Sequence, residues 1–431
     1  MNKLWTVVLT LVCLRAVAAL PCYQGELSAD RAVELALRYS PEAALAGFQR
    51  DLQKSEREKV ASESRLKVGL GVLAAQQNTP MIYATGGDPS FAQLLPGSGT
   101  LNFNAVAMLP LYNGGWLRHR LAAAEKAERA AEARREVALR LTTLQARRAY
   151  FEVFQARAEI DAREQELQAR QELLLQAQNK FKAGKEARFV VLRAEAEVAS
   201  LQQMLNTAQS TFEQRESQLK SVLGLSWESR FDYPQSGPPP ASPVSQAESL
   251  QEARTQRPDL VATQLAIEEG DERLLASLAE YSPRLSLAAM VEGMGATTIP
   301  WNQGYSVGLN FSFPLYDGGQ RAAQSEAARI EVELSKTRLT QLELSIEQEV
   351  TAARSGLLQA LKNADLAELE LSKAQEELRI SRLRFDLGRA IYLEVLDSLA
   401  LLSRARSNRL NALFEAQRRQ ADYQYALGRF P

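Results

Sequence analysis

Pro110-Leu111-Tyr112-Asn113-Gly114-Gly115 recurs later in the chain as Pro314-Leu315-Tyr316-Asp317-Gly318-Gly319. The second copy begins 204 positions after the first, at 314 instead of 110. The same shift, without a gap, aligns residues far downstream: Ala149 with Ala353, Gln155 with Gln359, Phe181 with Phe385, Gly184 with Gly388, Val191 with Val395 and Gly224 with Gly428. A register that is held without insertion indicates a tandem duplication of rigid elements whose lengths matter.

The duplication predicts two repeats joined by a linker. We place the first repeat at residues 20–233 and the second at residues 244–431. Residues 234–243 between them are rich in proline, which fits neither a helix interior nor a central strand. Residues 1–19 have the pattern of an export signal peptide, because Lys3 precedes an apolar stretch that ends in Ala16-Val17-Ala18.

The composition disfavours several classes of function. With 51 basic against 52 acidic residues, the chain lacks the basic excess of a nucleic-acid binder. One histidine and two cysteines leave little material for zinc sites, cysteine nucleophiles or histidine relays. The sequence has no glycine-rich phosphate loop, nucleophile elbow or His-Glu-x-x-His motif. We therefore expect no enzyme activity, no metal site and no cofactor, and we expect His119 to be a surface residue.

Cys22 is the single cysteine after the predicted signal peptide. A lipid anchor on this residue calls for small residues just before it, but Leu20-Pro21 stands there. Ordinary cleavage that leaves an unpaired thiol is favoured, and lipidation stays open as the alternative.

A long proline-free stretch follows each Gly-Gly turn. In the first repeat, residues 116–182 predict one helix on the order of 100 Å long, at 1.5 Å per residue. In the second, small or apolar residues alternate at spacings of four and three: Leu357, Ala360, Ala364, Ala367, Leu371, Ala374 and Leu378. This heptad pattern predicts helices packed side by side. Return helices are expected at about 189–223 and 393–427, and helices at 29–63 and 246–280 are expected to break near Pro41 and Pro258.

Four shorter stretches alternate with period two and predict β-strands, near residues 65–72, 101–109, 284–292 and 305–313. Their apolar sides suit lipid and their other sides are small or polar, and five aromatic residues lie near their ends: Tyr112, Trp116, Trp301, Tyr305 and Tyr316. A soluble sandwich with one wet face is the alternative, but nothing else in the chain offers an apolar surface to cover these strands. Pro110 and Pro314, with the glycine pairs Gly114-Gly115 and Gly318-Gly319, are predicted to turn each chain segment from strand to helix.

Four strands are too few to close a membrane barrel, since the smallest have about eight, and lipid does not tolerate an open sheet edge. The chain is therefore expected to oligomerise. Two copies would give eight strands and a filled interior, whereas three would give twelve and leave room for a channel. Spacing alone leaves this number open.

Together these features resemble the TolC-like outer-membrane efflux proteins, over essentially the whole mature chain. The resemblance rests on the duplicated strand–strand–helix layout, the two Pro-Leu-Tyr-(Asn/Asp)-Gly-Gly turns, Ala149-Tyr150 before Gln155-Ala156, and Arg384-Phe385-Asp386-Leu387-Gly388 before Leu393-Glu394-Val395-Leu396-Asp397. It implies a mainly α-helical homotrimer, with a twelve-stranded β-barrel in the outer-membrane lipid of a Gram-negative bacterium. A periplasmic α-helical barrel built from coiled-coil hairpins continues from that barrel.

The resemblance also implies function and partners. It implies a passive exit duct for small molecules such as drugs or toxic compounds, with proteins as a second class of cargo. The partners implied are a periplasmic adaptor (membrane fusion) protein and an inner-membrane pump of the RND or ABC class. A periplasmic coiled-coil adaptor or scaffold is the alternative function. It would explain the heptads but not the four strands.

Two sets of site residues follow from the resemblance. The first is a pore constriction formed by Glu394 and Asp397, which share a helix face at spacing i, i+3. Both could instead be solvated surface acids, with Glu394 favoured near a helix start by the helix dipole. The second is an adaptor contact at the periplasmic tip, formed by Phe181, Gly184, Arg188, Phe385, Gly388 and Arg389. Helix capping by the glycines and packing by the phenylalanines are the structural alternatives.

Overall fold

The computed structural model describes residues 20–76, 81–84, 92–95, 99–184, 186–233, 241–296, 299–387 and 389–429. The predicted signal peptide, residues 234–240 of the predicted linker, and Gly388 lie outside the described residues.

The described chain alternates strands with helices in the order that the duplication predicts. The first repeat contains β1 (Gln24–Glu26), α1 (Ala29–Tyr39), α2 (Pro41–Ser62), β2 (Lys67–Gln76), β3 (Met81–Ala84), β4 (Ala92–Leu95), β5 (Gly99–Tyr112), α3 (Trp116–Lys182), α4 (Arg188–Leu223) and β6 (Arg230–Asp232). The second contains α5 (Gln246–Gln256), α6 (Pro258–Ala279), β7 (Arg284–Ala296), β8 (Ile299–Ser312), α7 (Gln320–Asp386) and α8 (Tyr392–Leu427).

The helix lengths repeat from one half to the other. Both α3 and α7 have 67 residues, and both α4 and α8 have 36. The predicted unbroken helix after each Gly-Gly turn is confirmed, since no proline interrupts either segment. None of the described helices is apolar enough over sufficient length to cross a membrane.

The chain forms two compact units, and each draws on both halves of the sequence. We call the first the helical unit; it consists of the described residues within Met1–Gln49, Ala133–Leu260 and Gln341–Pro431. We call the second the sheet unit; it consists of the described residues within Arg50–Glu132 and Val261–Thr340.

In the helical unit, side-chain bonds connect the four long helices in the order α4, α3, α8, α7. Arg215 of α4 pairs with Glu152 of α3 at 2.8 Å, and Gln155 of α3 donates to Asn411 of α8 at 2.6 Å. Arg409 of α8 then pairs with Glu368 of α7. The predicted heptad residues of α7 are buried, apart from the half-buried Ala364: Leu357, Ala360, Ala367, Leu371, Ala374 and Leu378. Side-by-side packing is therefore confirmed.

The helix breaks at the two prolines are also confirmed. Pro41 and Pro258 each occupy the first position of a new helix, where the missing N–H costs nothing. Arg257 at the second break pairs with Asp259 and Glu349, both at 2.7 Å. Burial by itself lowers the pKa of the Arg257 guanidinium, but the two carboxylates outweigh it and hold the pKa above its usual value.

Two short ladders were not predicted from the sequence. β1 pairs in parallel with β6, so that residues 24–26 are fastened to the segment that follows α4. β3 pairs with β4 in the segment between β2 and β5. Strands of three or four residues contain too few positions for alternation to be recognised.

Each return helix ends at a glycine that packs against the break in an earlier helix pair. Gly224 has a φ of +67° and Gly428 a φ of +82°, both left-handed caps. A Cβ on Gly224 would lie 2.2 Å from the carbonyl oxygen of Tyr39, and one on Gly428 would lie 3.2 Å from that of Gln256. The two contacts occupy equivalent places in the two repeats. A side chain at Gly224 would overlap backbone atoms, whereas one at Gly428 would be a tight fit.

We predict that Gly224→Ala destabilises the protein more than Gly184→Ala. Both glycines have positive φ, so each alanine incurs a left-handed backbone cost of roughly 1–2 kcal/mol. Only Gly224 faces backbone atoms, since a Cβ on Gly184 meets nothing within 4 Å, and overpacking adds about 1–3 kcal/mol. Thermal unfolding of the two variants in detergent tests the difference. Equal losses in the two would contradict the packing argument.

Candidate functional site

The sheet unit contains a four-stranded antiparallel sheet in the order β2-β5-β7-β8. Its register places the apolar sides of all four strands on one face. One row across the sheet, for example, runs Val68, Ala107, Ala289, Val307. The four strands predicted from period-two alternation are thus confirmed, and they are longer than expected.

No other part of the described chain covers the apolar face. Its exposed members come from all four strands: Val68, Leu70, Val72, Leu101, Leu287, Val291, Tyr305, Val307, Leu309 and Phe311. The exposed fraction is 71% at Val68 and 69% at Val307, in the two outer strands. Such a continuous apolar patch is too large for an ordinary water-exposed surface and marks contact with lipid or another protein.

The opposite face is more polar, with glycine, serine and asparagine beside apolar residues that include Leu73, Val106, Met108 and Met290. One row across it runs Gly71, Asn104, Glu292, Gly304. A Cβ on Gly71 would lie 2.2 Å from Oδ1 of Asn104, so glycine lets the amide lie flat across the strand. The glycines and polar groups of this face suit the wall of a water-filled space.

The two outer strands leave open edges. Within the described chain, β2 pairs only with β5, and β8 pairs only with β7. The outer N–H and C=O groups of β2 and β8 are therefore available to another strand. One edge belongs to the first repeat and the other to the second.

The structure places both glycine pairs between strand and helix. Gly114 and Gly115 have φ values of +62° and +87°, and Gly318 and Gly319 have +66° and +91°. The prolines differ from each other: Pro110 lies inside β5, immediately before a register shift, whereas Pro314 lies two residues beyond the end of β8. Pro110 thus marks a bulge in a strand that runs on to Tyr112, instead of the strand's end.

Asn113 and Asp317 cap the long helices. Oδ1 of Asn113 accepts from the Leu117 amide at 3.3 Å, and Oδ2 of Asp317 accepts from the Arg321 amide at 3.1 Å. Arg321 also donates Nε to Asp317 at 2.5 Å. This bond to the Arg321 guanidinium, with backbone donors at Arg321 and Gly319, holds the pKa of the Asp317 carboxyl below its usual value.

Two residues at the start of α3 have specific partners. Nδ1 of His119 lies 2.7 Å from Oε2 of Glu272, and both side chains are about one quarter exposed, so His119 is a partly exposed residue with an acidic partner. Trp116 lies beneath two guanidiniums, with Arg120 4.4 Å and Arg284 5.0 Å from its ring centre, instead of standing free near the strand ends. Among the described residues, no group of three possible ligands could hold a metal ion.

At the hairpin ends of the helical unit, the six predicted tip residues have different environments. Gly184 has a φ of +71° and closes the α3–α4 turn. Arg188 and Arg389 are exposed, and Phe181 is 42% exposed. Phe385 is half-buried, with Nζ of Lys180 3.7 Å from its ring centre, so it connects the two hairpins. Gly388 lies outside the described residues.

The two predicted constriction residues lie in the first turns of α8. Glu394 pairs with Arg384 of α7 at 3.4 Å, while Asp397 is exposed. Their neighbours Val395 and Leu396 are buried in the apolar cluster shared by the four long helices. The acids therefore point away from that cluster, and their place in an assembled pore stays a prediction.

Sequence reasoning missed an apolar rim at the same ends. Phe189 is 69% exposed, and Leu387 and Ile391 are each 62% exposed. Their signal was present in the sequence as large apolar residues beside glycine turns, where polar residues are the norm. Lys180 was also missed, because its contact with Phe385 depends on the packing of two different hairpins.

Comparison with known proteins identifies relatives. The model of the family described as outer membrane efflux protein matches residues 72–225 and 249–429, most of the chain. Outer membrane protein TolC of Salmonella enteritidis is 26% identical over 122 residues, which cover 28% of this chain and only 25% of TolC.

Solved structures share the fold across nearly the whole chain. The Campylobacter jejuni CmeC outer membrane channel superposes with a TM-score of 0.77 at 15% identity, covering 93% of this chain and 85% of CmeC. Vibrio cholerae outer membrane protein VceC gives 0.76 at 18% identity, covering 93% and 96%. The open state of the Neisseria gonorrhoeae MtrE outer membrane channel gives 0.75 at 19%, covering 93% and 88%.

We predict that stability at pH 7 falls in the order wild type, Asp317→Asn, Asp317→Ala. Asparagine keeps the cap, as Asn113 does in the first repeat, but loses the charged bond to Arg321; alanine loses both. Because the folded-state pKa of Asp317 is lowered, its charge stabilises the protein above the unfolded-state pKa and ceases to do so as pH falls through the folded-state value.

The difference in Tm between wild type and Asp317→Asn should therefore shrink as pH is lowered from 7 to about 3, below the ordinary aspartate pKa of about 3.9. Melting curves over this range test it. A difference that stays constant with pH would rule out the ionised carboxylate as its source.

Proposed function

Since this chain belongs to the outer membrane efflux protein family, we propose that it is the passive exit duct of an efflux system in the outer membrane of a Gram-negative bacterium. The duct exports small molecules, such as drugs or toxic compounds, that a pump delivers to it. The open-edged sheet with one apolar and one more polar face carries this proposal. It supplies a lipid-facing outside, a water-facing inside and edges that further copies can join.

The open edges of β2 and β8 determine how copies of this chain pair with one another. The strands alternate in direction across the sheet, so β8 of one copy can pair with β2 of the next as another antiparallel pair. Such a contact joins two different surfaces, and repeating it around an axis gives a closed ring. Three copies give twelve strands, which leaves an open interior.

The outer helices of the helical unit support the same mode of assembly. On α7, two pairs of exposed apolar side chains lie two heptads apart, Leu366 with Leu369 and Ile380 with Leu383, and the charged Lys373 and Glu376 occupy the heptad between them. Beside α4 lies a groove of about 460 Å³ whose α4 wall is mostly small and polar: Ser200, Gln203, Met204, Thr207, Ala208 and Thr211. Large side chains of α7 fit a groove of this kind on the next copy.

The hairpin tips supply the contact with a periplasmic adaptor protein, which connects the duct to an inner-membrane pump of the RND or ABC class. The exposed Phe181 and the rim of Phe189, Leu387 and Ile391 present apolar surface, and Arg188 and Arg389 add positive charge. Gly184 shapes the turn that presents them. Phe385 serves this site by packing the two hairpins together through Lys180.

Glu394 and Asp397 form the constriction. In a trimer they place six carboxylates near the axis, where negative charge binds cations and slows anions. The alternative function, a periplasmic adaptor or scaffold, leaves the apolar face of the sheet without an environment that covers it.

We predict opposite outcomes for Leu309→Arg and Asn310→Arg. These neighbours lie on opposite faces of β8, so both variants add one charge at the same depth. On the lipid face an arginine costs roughly 2–4 kcal/mol near the bilayer middle, whereas the inner face is hydrated. Leu309→Arg should therefore abolish heat-resistant trimers in the outer-membrane fraction, while Asn310→Arg should assemble and change single-channel conductance. Equal assembly of the two variants would contradict the lipid-facing assignment.

We predict that Glu394→Ala/Asp397→Ala raises single-channel conductance in a planar bilayer and weakens block by divalent cations. Removal of the side chains widens the constriction, and removal of the charges weakens cation binding. Glu394→Gln/Asp397→Asn is the matched control, since it keeps the volume and should weaken divalent block with little gain in conductance. Unchanged conductance and block in both variants would place these residues outside the constriction.

A further inference from the structure

A small cavity lies between α3 and α8 in the helical unit, and neither the duct nor the tip contact uses it. Its volume is about 30 Å³. Its polar walls are formed by Glu159, Arg163, Glu166 and Arg170 of α3 and by Ser403, Arg406 and Ser407 of α8. Leu399 and Leu402 form part of its apolar wall.

Arg170 is the unusual member of this cavity. Its side chain is 5% exposed, and Nε and Nη1 have no hydrogen-bond partner among the described residues. Its nearest carboxylate oxygen, Oε1 of Glu166, is 3.9 Å from Nη2, beyond hydrogen-bond distance. A buried guanidinium without bonded partners costs several kcal/mol, because it loses its hydration and gains too little in return.

The two acids in the cavity wall, Glu159 and Glu166, already bond to a different arginine. Arg163 donates to Glu159 at 2.9 Å and to Glu166 at 3.1 Å. Ser403 donates to Glu166 at 2.6 Å, and Ser407 donates to Glu159 at 3.4 Å. With Arg170 and Arg406 included, the cavity walls carry three positive and two negative charges, an excess of one positive charge.

We propose that this cavity binds a single chloride ion, held by Arg170 and Arg406. One monovalent anion balances the excess charge and gives the free N–H groups of Arg170 an acceptor. The volume admits an ion about as large as one or two water molecules, which favours a small monovalent anion over a larger one. Water could accept the hydrogen bonds but would leave the charge unbalanced.

The ion would stabilise one particular contact. It lies where a first-repeat helix meets a second-repeat helix, close to the bonds from Ser403 and Ser407 to α3. Chloride binding therefore holds the two hairpins of one chain together. This inference does not depend on the proposed function, because every group in it lies within a single chain.

Bromide provides the direct test, since it replaces chloride and scatters anomalously. Crystals of the full chain in detergent, soaked in sodium bromide, should show an anomalous peak in this cavity, in contact with the Arg170 guanidinium. A cavity with no peak, or with water alone, would overturn the proposal.

Thermal unfolding provides the second test. Above the dissociation constant, each tenfold rise in chloride should raise the apparent folding constant about tenfold per site, whereas sodium gluconate at equal ionic strength should not. Arg170→Met fills similar space without charge and should abolish the difference between the two salts. Arg157→Met is the control: Arg157 lies on the same helix, is 53% exposed and pairs with Asp161, and its removal should leave the chloride effect intact. A chloride effect that persists in Arg170→Met, or none in wild type, would contradict the site.

Discussion

The unpaired backbone on the outer sides of β2 and β8 is the constraint on which the rest of the structure depends. In water such an edge is tolerable, but in lipid each unsatisfied N–H or C=O group costs several kcal/mol. The apolar face of the same sheet is exposed in all four strands, so water is not its natural environment. Pairing β8 of one copy with β2 of the next satisfies the backbone and leaves the apolar face directed outward to lipid.

This constraint explains why the two repeats are joined in one chain but are not identical. A first-repeat strand lies at one edge and a second-repeat strand at the other, and the outer helices α4 and α7 divide in the same way. Contacts between copies can therefore have two different surfaces. In the trimer proposed above, the exposed apolar residues of α7 and the groove beside α4 are one pair of such surfaces. In that proposal, the difference in side-chain size lets one surface insert into the other.

The contact between α3 and α8 within one chain contains polar side-chain pairs along its length. They include Arg148–Asp422 at 2.6 Å and Gln155–Asn411 at 2.6 Å. These pairs are partly exposed to water, whereas a buried polar group on the same contact demands a partner. At the Arg170 cavity, the protein's own groups leave Nε and Nη1 of a buried guanidinium without acceptors. This is why we propose that an ion from solution binds there.

The sequence by itself determined the elements and much of their arrangement. Its 204-residue repeat, its period-two strands and the heptads of α7 predicted the fold class and the family resemblance, and the family match confirms that resemblance. These features were legible because they repeat along the chain at spacings fixed by backbone geometry. Tertiary structure alone decided the contacts between distant segments: the β1–β6 ladder, the His119–Glu272 pair, the Lys180–Phe385 contact and the isolation of Arg170. Such contacts depend on which helix faces meet after folding, and a single linear sequence does not mark the partner of a charge that lies more than a hundred residues away.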